Sequence, residues 1–349
     1  MLNNTTPFKH IRAYHTGFIL PLVDFLILYP ILLVMRRKTT HGIQLQYHGD
    51  KQLIEQDIRH GAFFMTNHRD IVMDAAWLTF LLRTRYFIHP YFGIGNNLFG
   101  KWWIEHVVRF LRAFVVIRNG GFRDQINNAT TLSQYIRHLR KRHKSIWLAQ
   151  REGRAKDSND RTQESVLKML AMGGEGTPAE RLKHLHITPL TISYEYDPCD
   201  YLKAMEFQQK RDNPSFKKSK QDDLDNMKTG IWGKKGHIHY QTAPCINEWI
   251  DTLAHLPKAE FFTAVAQRMD REIHKGYMLF SGNYVALDLL QGNTAHQSHY
   301  SAEEKERFEK YIQERIDMIK LPNKDVPFLR EKLLAMYANP VINKEKAVG

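Results

Sequence analysis

Apolar positions along this chain fall into three regimes, and the first is an almost unbroken run. From Gly17 to Met35 the sequence reads GFILPLVDFLILYPILLVM and is followed at once by Arg36, Arg37 and Lys38. The run is long enough to consider as a membrane span. Asp24, Pro21 and Pro30 lie inside it, however, which favours a kinked or shallowly inserted helix lying in the membrane over one that crosses it. The basic cluster beside it predicts contact with anionic headgroups on the cytoplasmic side. The polar start MLNNTTPFKH lacks the cationic n-region and cleavage site of a secretory signal.

From about Gly61 the pattern changes to short apolar runs separated by longer mixed segments, the alternation of an α/β sheet with covering helices. It predicts strands over 62–67, 86–92, 113–117, 145–150, 187–196 and 237–242, and helices over 122–144 and 161–172. Between Pro198 and Gly236 the composition turns polar and densely charged, which reads as an excursion from the sheet. The third regime begins near Glu248, where Ala259, Val265 and Met269, and then Phe308, Ile312 and Ile316, recur at helical spacing, with Pro257 placed to start a helix. The expected organisation is a membrane-associated helical segment (1–40), a catalytic domain (41–247, with a polar insertion at about 198–236) and a helical C-terminal region (248–349). No repeat or low-complexity tract interrupts it.

Composition adds two facts. The formal net charge of +13 predicts an anionic partner without choosing among an acidic membrane, a phosphorylated substrate, an acidic carrier protein and nucleic acid. Cys199 and Cys245, the only cysteines, show no metal or redox spacing and read as ordinary thiols of a reducing compartment.

The segment MTNHRDIVMDAAWLTFLL (65–82) passes from an apolar strand through a polar cluster into an apolar helix, and such a turn exposes reactive groups at a sheet edge. His68 supplies a base that titrates near neutrality, and a nearby carboxylate can fix its tautomer and stabilise the imidazolium. Asp70 and Asp74 are both within reach. Neither i+2 nor i+6 shares a helical face with His68, so the histidine must precede the helix. His68-Arg69-Asp70 mimics a kinase catalytic loop, but the required downstream Asn is replaced by Ala75, and the Gly-rich loop is missing. A second polar cluster, AQREGRAKDSNDRTQ (149–163), follows an apolar strand and offers Arg151, Arg154, Lys156 and Arg161 beside Glu152, charge suited to phosphate. Between the two, Arg118 ends the run AFVVI, next to Gly120 and Gly121. The histidine pairs His184/His186 and His237/His239 have no carboxylate or cysteine companion at a metal spacing along the chain, and no metal or other cofactor is expected.

Together these clusters resemble the glycerolipid acyltransferase family, which includes glycerol-3-phosphate and lysophosphatidate acyltransferases. Asn67-His68 with Asp74 is similar to the family's first motif, although five residues separate His68 from Asp74 where the family has four. That departure keeps Asp70 open as an alternative partner. Gly95 to Gly121, with its Asn-Leu-Phe opening and terminal Phe-x-x-Ile-Arg, resembles the second motif of the glycerol-3-phosphate branch. Glu152-Gly153-Arg154 followed by Arg161-Thr162 resembles the third, without the Phe-Pro usual in lysophosphatidate enzymes, and Ile187-Thr188-Pro189-Leu190 resembles the fourth. The resemblance covers about Met65 to Pro198.

It implies a mixed central sheet flanked by helices, with His68 and Asp74 catalytic and Asn67, Arg69, Arg118, Glu152, Gly153, Arg154 and Pro189 contacting substrate. The implied activity is transfer of a fatty acyl group from acyl-CoA or acyl carrier protein to a hydroxyl of a phosphorylated glycerol acceptor, in phospholipid synthesis at the cytoplasmic face of the inner (plasma) membrane. Nucleic acid is not an expected partner. The rival readings are acyl transfer to a non-glycerol lipid or amine, a non-catalytic basic protein that binds anionic lipid or nucleic acid, and a metal-dependent hydrolase.

Overall fold

Short runs of large apolar and β-branched residues form seven strands in one sheet among the described residues. The computed structural model describes residues 8–17, 19–99, 102–117 and 120–349. The strands are β1 (Thr40–Gln46), β2 (Phe63–Thr66), β3 (Tyr91–Gly95), β4 (Ala113–Val116), β5 (Ile146–Ala149), β6 (Ile187–Tyr194) and β7 (Gly236–Thr242), in spatial order β1-β7-β6-β2-β5-β3-β4. β2 to β6 run parallel, while β7 is antiparallel to β6 and parallel to β1. The sheet is therefore mixed, flanked by helices, and the fold class is α/β.

Side-chain alternation gives the central strands two buried faces. Phe63, Met65, Ile146, Leu148 and Ile187 meet Leu132, Ile136, Leu167, Val265 and Met269 on one side. Phe64, Trp147, Leu190 and Ile192 meet Trp77, Leu78, Leu81 and Leu82 on the other. The helix Lys258–Lys275, starting at Pro257, thus shares a core with the sheet itself. The later helices Ser281–Gln291, Ala302–Asp317 and Val326–Val348 build a separate cluster around Phe308, Ile312, Leu329 and Leu333.

Two strand expectations change. The strand expected at 86–92 lies at Tyr91–Gly95, because the helix Met73–Tyr86 continues through Tyr86 and ends at Phe87, whose φ of 58° forms a left-handed cap. β1 falls where no strand was expected. The polar excursion carries two helices, Asp200–Asp212 and Lys220–Trp232, the second opened by a Ser219/Asp222 capping box.

Among the described residues one helix, Ile19–Thr39, is long and apolar enough to cross a membrane. It contains a π-helical stretch, Asp24–Leu28, and little of it is buried. Asp24 turns inward and pairs with Arg83, with His89 Nε2 3.7 Å away, while Tyr29 stacks on Phe80 at 5.6 Å. Ile19, Leu22, Phe25, Leu26, Ile27, Ile31 and Val34 are exposed. Asp24, the charged one of the three residues that argued against spanning, thus faces the protein, and the outward face is apolar over these positions.

Candidate active site

The parallel strands all point their C-terminal ends to one edge of the sheet, where open α/β sheets bind ligands. β2 ends at Thr66, and the next residues leave the strand before the helix begins at Met73. His68 therefore sits on non-helical backbone, and its Nδ1 lies 2.8 Å from Asp74 Oδ2. Asp74, fully buried in the first turn of the helix, accepts three more hydrogen bonds. The backbone N–H groups of Arg69 (2.7 Å) and Asp70 (3.0 Å) donate to Oδ2, and the Tyr194 hydroxyl (2.9 Å) donates to Oδ1. Tyr240 fixes the same turn by donating to the Asp74 carbonyl at 2.8 Å. The extra residue in the His68–Asp74 spacing is absorbed by this loop.

Asp70 does other work. Its Oδ1 accepts from the N–H groups of Val72 and Met73, both at 2.9 Å, so it fixes the turn that leads into the helix. Burial, and then the neighbouring Asp74, pushes its pKa up. The open choice between Asp70 and Asp74 as partner of His68 is resolved by these contacts in favour of Asp74.

With Nδ1 holding the proton towards a carboxylate, Nε2 is left as the basic nitrogen. His68 lines a cavity of about 380 Å³ whose walls come from three strands, β3 with Gly93, β4 with Val116 and β5 with Trp147 and Ala149. The imidazole meets the Trp147 indole edge-on, with ring centroids 5.8 Å apart. Glu152, Gly153 and Arg154 line the same cavity, together with Arg151 and Lys156. Gly153 has a φ of 69°, the left-handed conformation that favours glycine at this bend. The Glu152 N–H donates to Gln163 Oε1 at 2.6 Å, which closes the loop. Arg154 donates to Asn226 Oδ1 at 2.9 Å, its Nη1 and the Arg151 Nε are buried without a hydrogen-bond partner, and the two side chains bring positive charge to the cavity wall. Burial lowers the Lys156 pKa to about 8, against the opposing pull of its partner Glu206.

Three residues expected to contact substrate lie away from the His68 cavity. Asn67 continues the strand alternation away from His68 and clamps β6, donating to Ile192 O (2.9 Å) and accepting from Ile192 N (2.7 Å). Arg69 is buried against Asp160, with Nη2 2.9 Å from Oδ2, and against the Tyr277 ring. Pro189 is third in β6, opposite Met65 and buried before the antiparallel ladder to β7 begins at Leu190. None of the three lines the cavity. Arg118 lies outside the described residues.

Other contributors had no motif to announce them. Lys218 and Asp223 line the cavity from the polar excursion, and Asn226 from the same segment positions Arg154. The C-terminal region braces the 149–163 loop. Tyr277 donates to Asp160 Oδ2 (2.6 Å), Asp270 accepts from Thr162 N and Oγ1 (both 2.7 Å), and Asn339 donates to the Asp157 carbonyl (2.7 Å). Only the dense charge of the excursion hinted at such a role.

Burial lifts the Asp270 carboxyl to about 6 from an ordinary 3.8, despite the Thr162 hydrogen bonds. The folded state then holds this proton more tightly than the unfolded chain, so its contribution to stability is full below about pH 4 and is lost as pH rises through about 6. Asp270→Asn keeps the two acceptor contacts and removes the titration. Its stability relative to wild type is expected to rise by about 2 kcal/mol between pH 4 and pH 7, read from urea unfolding at each pH. A constant difference across that range would contradict the assignment.

A larger cavity of about 880 Å³ opens at the opposite, N-terminal edge, lined by His60, Arg137, Arg140, His143, His184 and His186 among others. It shares no residue with the His68 cavity. Comparison of the chain with protein-family models and with curated proteins finds no match.

Proposed function

We propose that the His68 site is an acyltransferase centre, moving a fatty acyl group from an acyl thioester to a hydroxyl of a phosphorylated glycerol acceptor. The observation that carries this reading is a histidine whose Nδ1 is held by a buried carboxylate while its ring lines a cavity with apolar strand-end walls and the side chains of Arg151 and Arg154. That arrangement suits direct transfer. Nε2 takes the hydroxyl proton as the acceptor oxygen attacks the thioester carbonyl, the C–S bond breaks, and the imidazolium returns the proton to the departing thiolate. Asp74 stabilises the imidazolium between these steps. Arg151, Arg154 and Lys156 would hold the acceptor phosphate, which makes the attack effectively intramolecular.

The acyl chain has an apolar route. Ile126 is exposed one helical turn from Ala129, which lines the cavity, and Phe122 is exposed a further turn away on the same helix, Phe122–Lys141. The fold, an α/β mixed sheet, is compatible with the glycerolipid acyltransferase class. The decisive assay offers radiolabelled palmitoyl-CoA and palmitoyl carrier protein with glycerol-3-phosphate or lysophosphatidate in detergent. Transfer to either acceptor supports the reading, and transfer to neither overturns it.

Membrane association follows from the same proposal. Because Asp24 and Tyr29 bind the Ile19–Thr39 helix along the Met73–Tyr86 helix, its bare face fits a helix lying in the cytoplasmic leaflet of the inner membrane, with Arg36, Arg37 and Lys38 exposed towards anionic headgroups. Phe25→Asp with Leu26→Asp is expected to abolish sedimentation with phosphatidylglycerol vesicles while the circular dichroism spectrum stays unchanged. Undiminished co-sedimentation would exclude this face as the anchor.

A further inference from the structure

We infer that His41, Glu195 and His237 form a binding site for one divalent transition-metal ion of the imidazole-preferring class, with Zn²⁺ as the best match. His41 lies in β1, His237 in β7 and Glu195 just past the end of β6, and the three are 154 and 42 positions apart in order along the chain, so no spacing rule could have joined them. Their donor atoms all lie within 4.8 Å of one another. His237 Nδ1 is 2.8 Å and His41 Nδ1 3.8 Å from Glu195 Oε2, and the two imidazoles meet edge to face with centroids 5.3 Å apart. Tetrahedral zinc with bonds of about 2.0–2.1 Å separates its ligand atoms by roughly 3.4 Å. The observed distances straddle that value, and small side-chain rotations close the difference.

Two features of the backbone serve this cluster. Thr40 pairs with Gly236 and Gly42 with His237, so His41 is the extra residue of a bulge in a parallel ladder. Bulges are uncommon in parallel pairs and re-aim the side chain of the residue they release. Gly236 has a φ of 64°, and a Cβ there would collide with the Glu195 carboxylate. A glycine therefore makes room for the acidic ligand, and the His237 N–H holds its Oε2 at 2.8 Å. Donors that remain hydrogen-bonded to the backbone in this way orient a ligand and strengthen a metal site. Two imidazoles and one carboxylate leave a fourth position for water.

The site would clasp β1, an edge strand, to the ends of β7 and β6. Glu195 directly follows Tyr194, the donor to Asp74, so the clasp also fixes the strand end that supports the His68 partner. This inference does not depend on the acyltransferase reading.

The test is calorimetric titration of chelator-treated full-length protein in detergent with ZnCl₂, alongside MgCl₂. Wild type is expected to bind one equivalent of Zn²⁺ at this site and to melt at a higher temperature with zinc than with magnesium. His41→Ala, His237→Ala and Glu195→Gln should each weaken that equivalent by at least about tenfold and lose the zinc-dependent rise in Tm. His255→Ala, altering an exposed histidine elsewhere, should retain both. Cobalt substituted into wild type should give the visible spectrum of a low-symmetry site with nitrogen ligands. Absence of zinc uptake by wild type, or uptake unchanged in the His41→Ala/His237→Ala double variant, overturns the proposal.

Discussion

His68→Ala is expected to lower kcat for acyl transfer by about 10²- to 10⁴-fold while leaving the thermal transition close to that of wild type. The histidine side chain is about seven-eighths covered, at 13% exposed, and its ring hydrogen-bonds to Asp74, so truncation removes a base without opening a core. Asp74→Asn should behave differently. The carboxylate receives two backbone N–H groups, the Tyr194 hydroxyl and the imidazole, and an amide cannot accept from all four. Both activity and stability should fall. Tyr194→Phe separates the two effects, because it removes one donor to Asp74 and touches no substrate. Its loss should fall on kcat rather than KM, with wild-type-like acceptor binding. Full activity in His68→Ala would remove the general base from the mechanism.

The largest loss of stability is expected from Asp160→Ala. Arg69 is 6% exposed and Asp160 0%, so the substitution leaves a guanidinium buried without its counter-charge. Removing one partner of such a pair costs about 3–5 kcal/mol. Tyr277 and Asn67, which both donate to Asp160 Oδ2, would lose an acceptor as well. Urea unfolding should show a midpoint shifted accordingly, and a loss below about 1 kcal/mol would mean that Arg69 finds another anion or water. Because this pair joins the end of β2 to the 149–163 loop and to Tyr277, activity should fall with stability even though neither residue reaches the cavity.

How far the sequence was legible depends on burial. β2, β4, β5, β6 and β7 carry enough large apolar residues to stand out, and each starts or ends within two residues of its apolar run. β1, THGIQLQ, buries only Leu45, because an edge strand with polar neighbours lacks a continuous apolar signal. β3 was obscured by the apolar helix before it, whose end depends on the left-handed Phe87 and not on a glycine or proline.

At the site, residue types near a strand end pointed to His68, Asp70 and Asp74, but only geometry assigns one aspartate to the imidazole and the other to the helix start. Asn67 and Arg69 show the limit most clearly. They flank His68 in sequence, yet alternation and the turn send them into the protein, where Ile192 and Asp160 engage them. Lys218, Asp223 and Asn226 could not be found by motif, since they reach the cavity through the docking of an excursion far along the chain.

The Asp24–Arg83 pair also bears on how the chain is made. The two residues are 59 positions apart, so Asp24 leaves the ribosome well before its partner exists. During that interval the apolar segment carries an uncompensated carboxylate, which is costly at the centre of a bilayer. The segment can wait at the lipid surface but gains its seat only when the Met73–Tyr86 helix has formed and presents Arg83 and Phe80. For the membrane-bound helix proposed above, attachment to lipid and folding of the body would be one coupled event in biogenesis, with the N-terminal helix arriving first and docking last.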